Sequence, residues 1–146
     1  MEKHSQKNFT TLSTKTNYLS TNRSKHYLKC HLIFVCKYRK KLLVGQLNDD
    51  IKAIFQSIAD DADFDMEVME TDKDHLHFLI RYIPRWSIAQ IVRRLKQQSL
   101  HIWQLHATAL RKQFWYKHIL WSDGYFVCSI GEASPDTIRP YILSQG

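Results

Sequence analysis

Two short runs of strand-forming character, Phe64–Thr71 and Leu76–Tyr82, are separated only by the Asp72-Lys73-Asp74 turn and His75. So short a link cannot carry a crossover, so the two runs must form an antiparallel hairpin. In a strand, residues i and i+2 project from the same face. His75 and His77 therefore stand side by side at the start of the second strand. Alone, a His-x-His pair is most simply two satisfied sheet residues. On a shared face it is also a natural pair of ligands for a divalent cation.

The flanking periodicities extend the hairpin into a fold. From His26 to Cys36, the residues Leu28, Cys30, Leu32 and Phe34 alternate with Lys29, His31, Ile33 and Val35, which predicts a strand. Ile51, Ile54, Phe55, Ile58 and Ala62 fall at helical spacing and predict an amphipathic helix over 47–62. After Pro84, Ser87 and Gln90 form a capping box. Ile88, Ile91, Val92, Leu95, Ser99 and Ile102 then continue one helix to about 106. Phe114–Leu120 and Tyr125–Ile130 read as short strands broken by Ser122-Asp123-Gly124, with Gly131 closing the second. Ser134-Pro135-Asp136 opens a final helix with an N-cap, a first-turn proline and an acid. The expected order is β-α-β-β-α-β-β-α. Its first six elements are a ferredoxin-like or RNA-recognition-like split unit. The fold class is therefore α+β: an antiparallel sheet with helices on one face and a C-terminal helix beside the other. Residues 1–22, rich in Ser, Thr, Asn and Lys, are expected to be a flexible basic arm; 23–146 forms the single domain.

Charge narrows the function. A net charge of +7 and a pI near 9.4 favour a polyanionic partner. The charge is clustered: Lys37, Arg39, Lys40 and Lys41 form one patch, and Arg93, Arg94 and Lys96 another. Tyr38, Trp86, Trp103 and Trp115 lie near these patches. Basic grooves with aromatic platforms suit single-stranded nucleic acid, although most of these aromatics are expected in the core. No apolar run is long enough for a membrane span. The N-terminus lacks an apolar signal core, so a cytoplasmic protein is expected. Cys30, Cys36 and Cys128 lack Cys-x-x-Cys spacing and read as reduced thiols.

In the last helix, Tyr141 and Gln145 are four residues apart, about one turn and roughly 5–6 Å between Cβ atoms on one face. A tyrosine hydroxyl can act as a nucleophile, and a glutamine amide oxygen can ligate a cation. With the whole chain in view, four stretches carry a specific resemblance. They are Cys36-Lys37-Tyr38-Arg39-Lys40-Lys41, Thr71-Asp72-Lys73-Asp74-His75-Leu76-His77, Leu120-Trp121-Ser122-Asp123-Gly124-Tyr125-Phe126-Val127, and Tyr141-Ile142-Leu143-Ser144-Gln145. In this order they resemble the small single-tyrosine HUH transposases of the insertion sequence 200/605 family, which move DNA as single strands.

The resemblance implies that Tyr141 is the nucleophile and that His75, His77 and Gln145 hold the metal. It also implies a homodimer that binds DNA hairpins at element ends, in several relatives with the tyrosine helix docked on the partner subunit. Two neutral nitrogens and an amide leave positions open for phosphate and water, which suits Mg²⁺ or Mn²⁺ better than Zn²⁺. Attack by Tyr141 would give a 5′-phosphotyrosine and a free 3′-hydroxyl, and the retained bond energy removes any need for a nucleotide cofactor. Two other readings stay open: a non-catalytic single-strand-binding module, and a domesticated relative acting on repeated palindromes.

Overall fold

The computed structural model describes residues 19–20, 25–26, 28–129 and 135–145. A short strand near the end of the expected N-terminal arm, β1 (Leu19–Ser20), pairs antiparallel with β2 (Lys25–His26) just beyond it. The rest of that arm, Gly131 and the Ser134 cap lie outside the described residues.

The central sheet holds β3 (Leu28–Val35), β4 (Phe64–Asp72), β5 (His75–Tyr82) and β6 (Phe126–Ser129) in the order β4-β5-β3-β6. All pairings are antiparallel. This is the ferredoxin-like order expected of a β-α-β-β-α-β unit. Lys73 takes φ 48° in the β4–β5 turn. A bulge between Met66 and Val68 shifts the register of β4.

Helices α1 (Gly45–Asp60) and α2 (Ile88–Gln98) cover one face. Phe34, Phe55, Phe78 and Trp121 meet edge-to-face at the centre of this core, with Phe34 and Phe78 centroids 5.0 Å apart. Such pairs add roughly 0.5–1.5 kcal/mol each beyond area burial. The Ser87–Gln90 capping box forms as expected: Gln90 N–H donates to Ser87 Oγ, and Ser87 N–H donates to Gln90 Oε1.

Two expectations fail between 99 and 120. The helix from Ser87 does not run unbroken to 106. It passes through a 3₁₀ turn at Ser99–His101 into the short α3 (Ile102–Leu105), and His106 then breaks the ladder at φ −132°. Phe114–Leu120 is not a strand. Phe114 ends an additional helix, α4 (Ala107–Phe114), whose buried residues Leu110 and Phe114 lie four apart. Aromatic and β-branched composition favours a strand here, but burial follows the helical period. Trp115–Leu120 runs irregularly to the bridge between Trp121 and Cys36. The last helix, α5 (Pro135–Ser144), forms with Pro140 inside it.

Candidate active site

Alternation along β5 buries Leu76, Phe78 and Ile80 beneath the helices. It turns His75, His77, Leu79 and Arg81 to the opposite face. His75 pairs with Val35 and His77 with Ile33 across β3. Beyond β3, Phe126 pairs with Ile33, and Ser122 N–H donates to Val35 C=O at 2.8 Å. Two cross-sheet rows result, His77-Ile33-Phe126 and His75-Val35-Ser122. With adjacent strands about 4.8 Å apart, their ends lie on the order of 10 Å from each other.

Helix α5 lies on this second face. The Tyr141 ring sits 5.8 Å from that of Phe126. Ile33 and Val35 are fully buried although they point away from the main core. Gln145 occupies the turn after α5, its N–H donating to Ile142 C=O. The two polar ends meet over Gly124, where a Cβ would stand 3.6 Å from Tyr141 Oη and 3.8 Å from Gln145 Oε1. The helical spacing predicted a shared face, and the fold adds the glycine floor beneath it. Tyr141 Oη and Ser122 Oγ are buried without a geometrically closed hydrogen bond. Burial raises the Tyr141 pKa above the usual tyrosine value, with the Ser122 hydroxyl pulling the other way.

On the histidine side, Asp74 Oδ1 lies 2.9 Å from His75 Nδ1. A carboxylate there fixes the tautomer with Nδ1–H donating, which leaves Nε2 as the lone-pair nitrogen. His77 Nε2 lies 2.9 Å from Nδ1 of His31 on β3, and Glu70 Oε1 is 3.9 Å from His77 Nδ1. Burial first, and His31 second, lower the His77 pKa below the usual histidine value and keep the ring neutral. A cavity of about 330 Å³ joins His75 to α5, lined by Arg39, Asp72, Asp74, Arg139, Ile142 and Leu143. Arg39 Nε is buried there without a partner.

Among the described residues, no three His, Cys, Asp or Glu side chains converge as a metal cluster. The donor set available is instead two imidazoles from β5 and an amide oxygen beyond α5. The lowered pKa of His77, the oriented Nε2 of His75 and a cavity with an unpartnered guanidinium nitrogen fit a hydrated divalent cation with a phosphate beside it.

The expected DNA-contact residues part company. Lys37, Tyr38 and Arg39 form a 3₁₀ turn, with Tyr38 at φ 60° and Arg39 at φ 50°. Lys37 Nζ lies 3.5 Å from Asp123, Lys40 is half-buried and Lys41 is exposed. Arg93 is exposed, whereas Arg94 is half-buried with its guanidinium 5.8 Å from the Trp86 ring. Lys96 departs furthest from an outward-facing cation. Its Nζ donates to the carbonyls of Ser122, Asp123 and Gly124 at 2.8, 3.0 and 2.8 Å. An ammonium has three N–H donors, so all of them hold the loop that carries Gly124. Burial lowers its pKa.

Sequence reasoning missed His31, Asp74 and the Lys96 staple. Asp74 was legible as a carboxylate adjoining the histidine pair. His31 already belonged to the alternation of its strand, but its place beside His77 depends on the β3–β5 register, which no local pattern gives.

Residues 24–145 match the family model described as "Transposase IS200 like". The chain is 32% identical over 120 residues to the ISDra2 transposase TnpA of Deinococcus radiodurans, covering 82% of this chain and 85% of that protein. It is 25% identical to the transposase for insertion sequence element IS200 of Salmonella typhimurium, covering 80% of this chain and 76% of that one. A crystal structure from Deinococcus radiodurans R1, described as a transposase, superposes with a TM-score of 0.79 at 28% identity, covering 86% of this chain and 96% of that chain. A REP-associated tyrosine transposase bound to a REP hairpin shares the fold, with a TM-score of 0.52 at 13% identity over 84% of this chain and 68% of that one.

Proposed function

The chain belongs to the IS200-like family of transposases, and from that premise we propose that it cleaves and rejoins single-stranded DNA through a covalent bond to Tyr141. The observation that carries this reading is the meeting of Tyr141 Oη and Gln145 Oε1 over Gly124, on the sheet face that also bears His75 and His77.

Tyr141 Oη attacks the scissile phosphorus; the Oη–P bond forms as the P–O3′ bond breaks. The phenol loses its proton and the departing 3′ oxygen gains one. The products are a 5′-phosphotyrosine and a free 3′-hydroxyl. Attack by the 3′-hydroxyl of another strand reverses the step, so no nucleotide cofactor is needed. The unpartnered Tyr141 hydroxyl is poised to accept a new neighbour, and its raised pKa keeps it protonated at neutral pH. Arg39 beside His75 offers a cation to the phosphate. His75, His77 and Gln145 would hold Mg²⁺ or Mn²⁺, which when bound neutralises charge on the non-bridging phosphate oxygens.

The substrates in this reading are DNA hairpins at the ends of an insertion sequence. The basic turn at Lys37–Lys41 and the exposed Arg93 supply phosphate contacts. With one nucleophilic tyrosine per chain, a homodimer acting in the cytoplasm holds both ends.

The test is a denaturing gel after incubation with a labelled hairpin carrying single-stranded flanks, with Mg²⁺ or with EDTA. A covalent protein–DNA band in Mg²⁺ alone supports the reading. Tight binding with no adduct under any metal condition would make this a binding module instead.

A further inference from the structure

Three exposed aromatics form a feature that strand cleavage does not use. Trp115 and Tyr116 are each 78% exposed, and Tyr38 is 58% exposed. Their exposure is built into the backbone. Trp115 ends α4 at φ 59°, ψ −127°, and Tyr38 sits at φ 60°, a half of conformational space that favours glycine. The two segments adjoin: the Tyr38 ring lies 6.4 Å from that of Phe114, the neighbour of Trp115, and Lys37 N–H donates to Leu120 C=O at 2.7 Å.

The segment that carries Trp115 and Tyr116 has charge of one sign. Trp115 and Tyr116 wall a hollow of about 300 Å³ with Thr108, Arg111 and Lys112. Lys117 follows directly, and no Asp or Glu occurs from 107 to 122. On the Tyr38 side, Lys37 reaches Asp123, next to the Gly124 floor beneath Tyr141. A basic, aromatic strip thus leads from the candidate active site to the end of α4.

We propose that this strip is a docking surface for unpaired DNA bases, with Trp115, Tyr116 and Tyr38 as stacking platforms and Lys112, Arg111 and Lys117 on the backbone phosphates. Every base has a π-face, so stacking binds single strands with little sequence preference, and cations beside the rings follow the phosphates. A duplex keeps its bases stacked on one another and cannot use the rings. The strip therefore selects the single-stranded flank of a substrate. As a route to the active site it rests on the proposed DNA-cleaving function; as a binding surface it stands without it.

The probe is a labelled oligothymidylate about 16 nucleotides long, which forms no hairpin. Trp103 and Trp121 are buried and Trp86 is half-buried, so quenching of tryptophan fluorescence reports chiefly on Trp115. The wild-type protein should be quenched on binding. Trp115→Ala with Tyr116→Ala should weaken binding about tenfold or more per ring removed, at unchanged circular dichroism. Trp115→Phe should bind nearly as well while losing most of the quench, and Tyr116→Ser alone gives a second measure of the same loss. Lys112→Ala should lower the slope of log affinity against log salt by close to 0.7. Unchanged affinity in the alanine variants overturns the proposal. So does loss of affinity together with dissociation of a wild-type oligomer in sedimentation, which would make the strip a contact between copies. The covalent-adduct gel on the same preparations separates the two readings: quenching without adduct keeps the docking surface and removes the cleavage.

Discussion

His31 Nδ1 lies 2.9 Å from His77 Nε2, closing a contact between β3 and β5 on the face that carries the candidate active site. One ring donates and the other accepts, so in either tautomer this His77 nitrogen already has a partner. A cation taking Nε2 of His77 must displace His31. A net hydrogen bond contributes about 0.5–1.5 kcal/mol. His31→Ala should therefore tighten Mn²⁺ binding about two- to tenfold in titration calorimetry, in DNA-free protein. Weaker Mn²⁺ binding would show that His31 supports the metal site instead.

Tyr141→Phe keeps the ring against Phe126 and removes only Oη. Hairpin affinity and thermal stability should stay near wild type, and the covalent adduct should vanish from the denaturing gel. An adduct in this variant would place the nucleophile elsewhere.

His75→Ala and His77→Ala remove donors from the sheet face that α5 covers, not from the main core. Each should abolish cleavage while leaving hairpin binding nearly intact, because binding rests on phosphate contacts with steep salt dependence. Cleavage by either variant at a near wild-type rate in Mg²⁺ would move the metal site away from β5.

Lys96→Met keeps an unbranched side chain but removes the ammonium, which lies near the Phe34 and Tyr125 rings, and leaves three carbonyls without their donor. Hydrogen bonds to a charged group are worth about 1.5–3 kcal/mol, and partial exposure offsets part of the loss. A stability loss of roughly 2 kcal/mol is expected in urea unfolding. Faster amide exchange at 122–124 should accompany it, together with slower adduct formation. An unchanged exchange rate there would show that Lys96 does not hold the loop.

Burial pushes both Cys30 and Cys36 up to about 12, desolvation being the main cause in each. At pH 8 neither forms appreciable thiolate, and both are shielded. Iodoacetamide should modify Cys128 alone in the native protein and all three cysteines in denaturant. Native-state labelling of Cys36 would contradict its burial beside the active-site strand.

Local pattern determined much of this protein. The short link between the two strands forces the β4–β5 hairpin, period 2 along β5 puts His75 and His77 on one face, and one helical turn brings Tyr141 and Gln145 together. These rules need only the neighbours of each residue. Patterns of residue type were less secure where several local states compete: the aromatic run around Phe114 suited a strand by composition but packs as the end of α4. Tertiary structure alone decided which residues meet across elements. The β3–β5 register set His31 against His77. The packing of α2 against the loop after Trp121 turned Lys96 from a surface cation into a clamp on Ser122–Gly124. The seating of α5 placed Gly124 beneath the tyrosine and glutamine. Such contacts join residues tens of positions apart, and only burial of the shared core fixes their alignment.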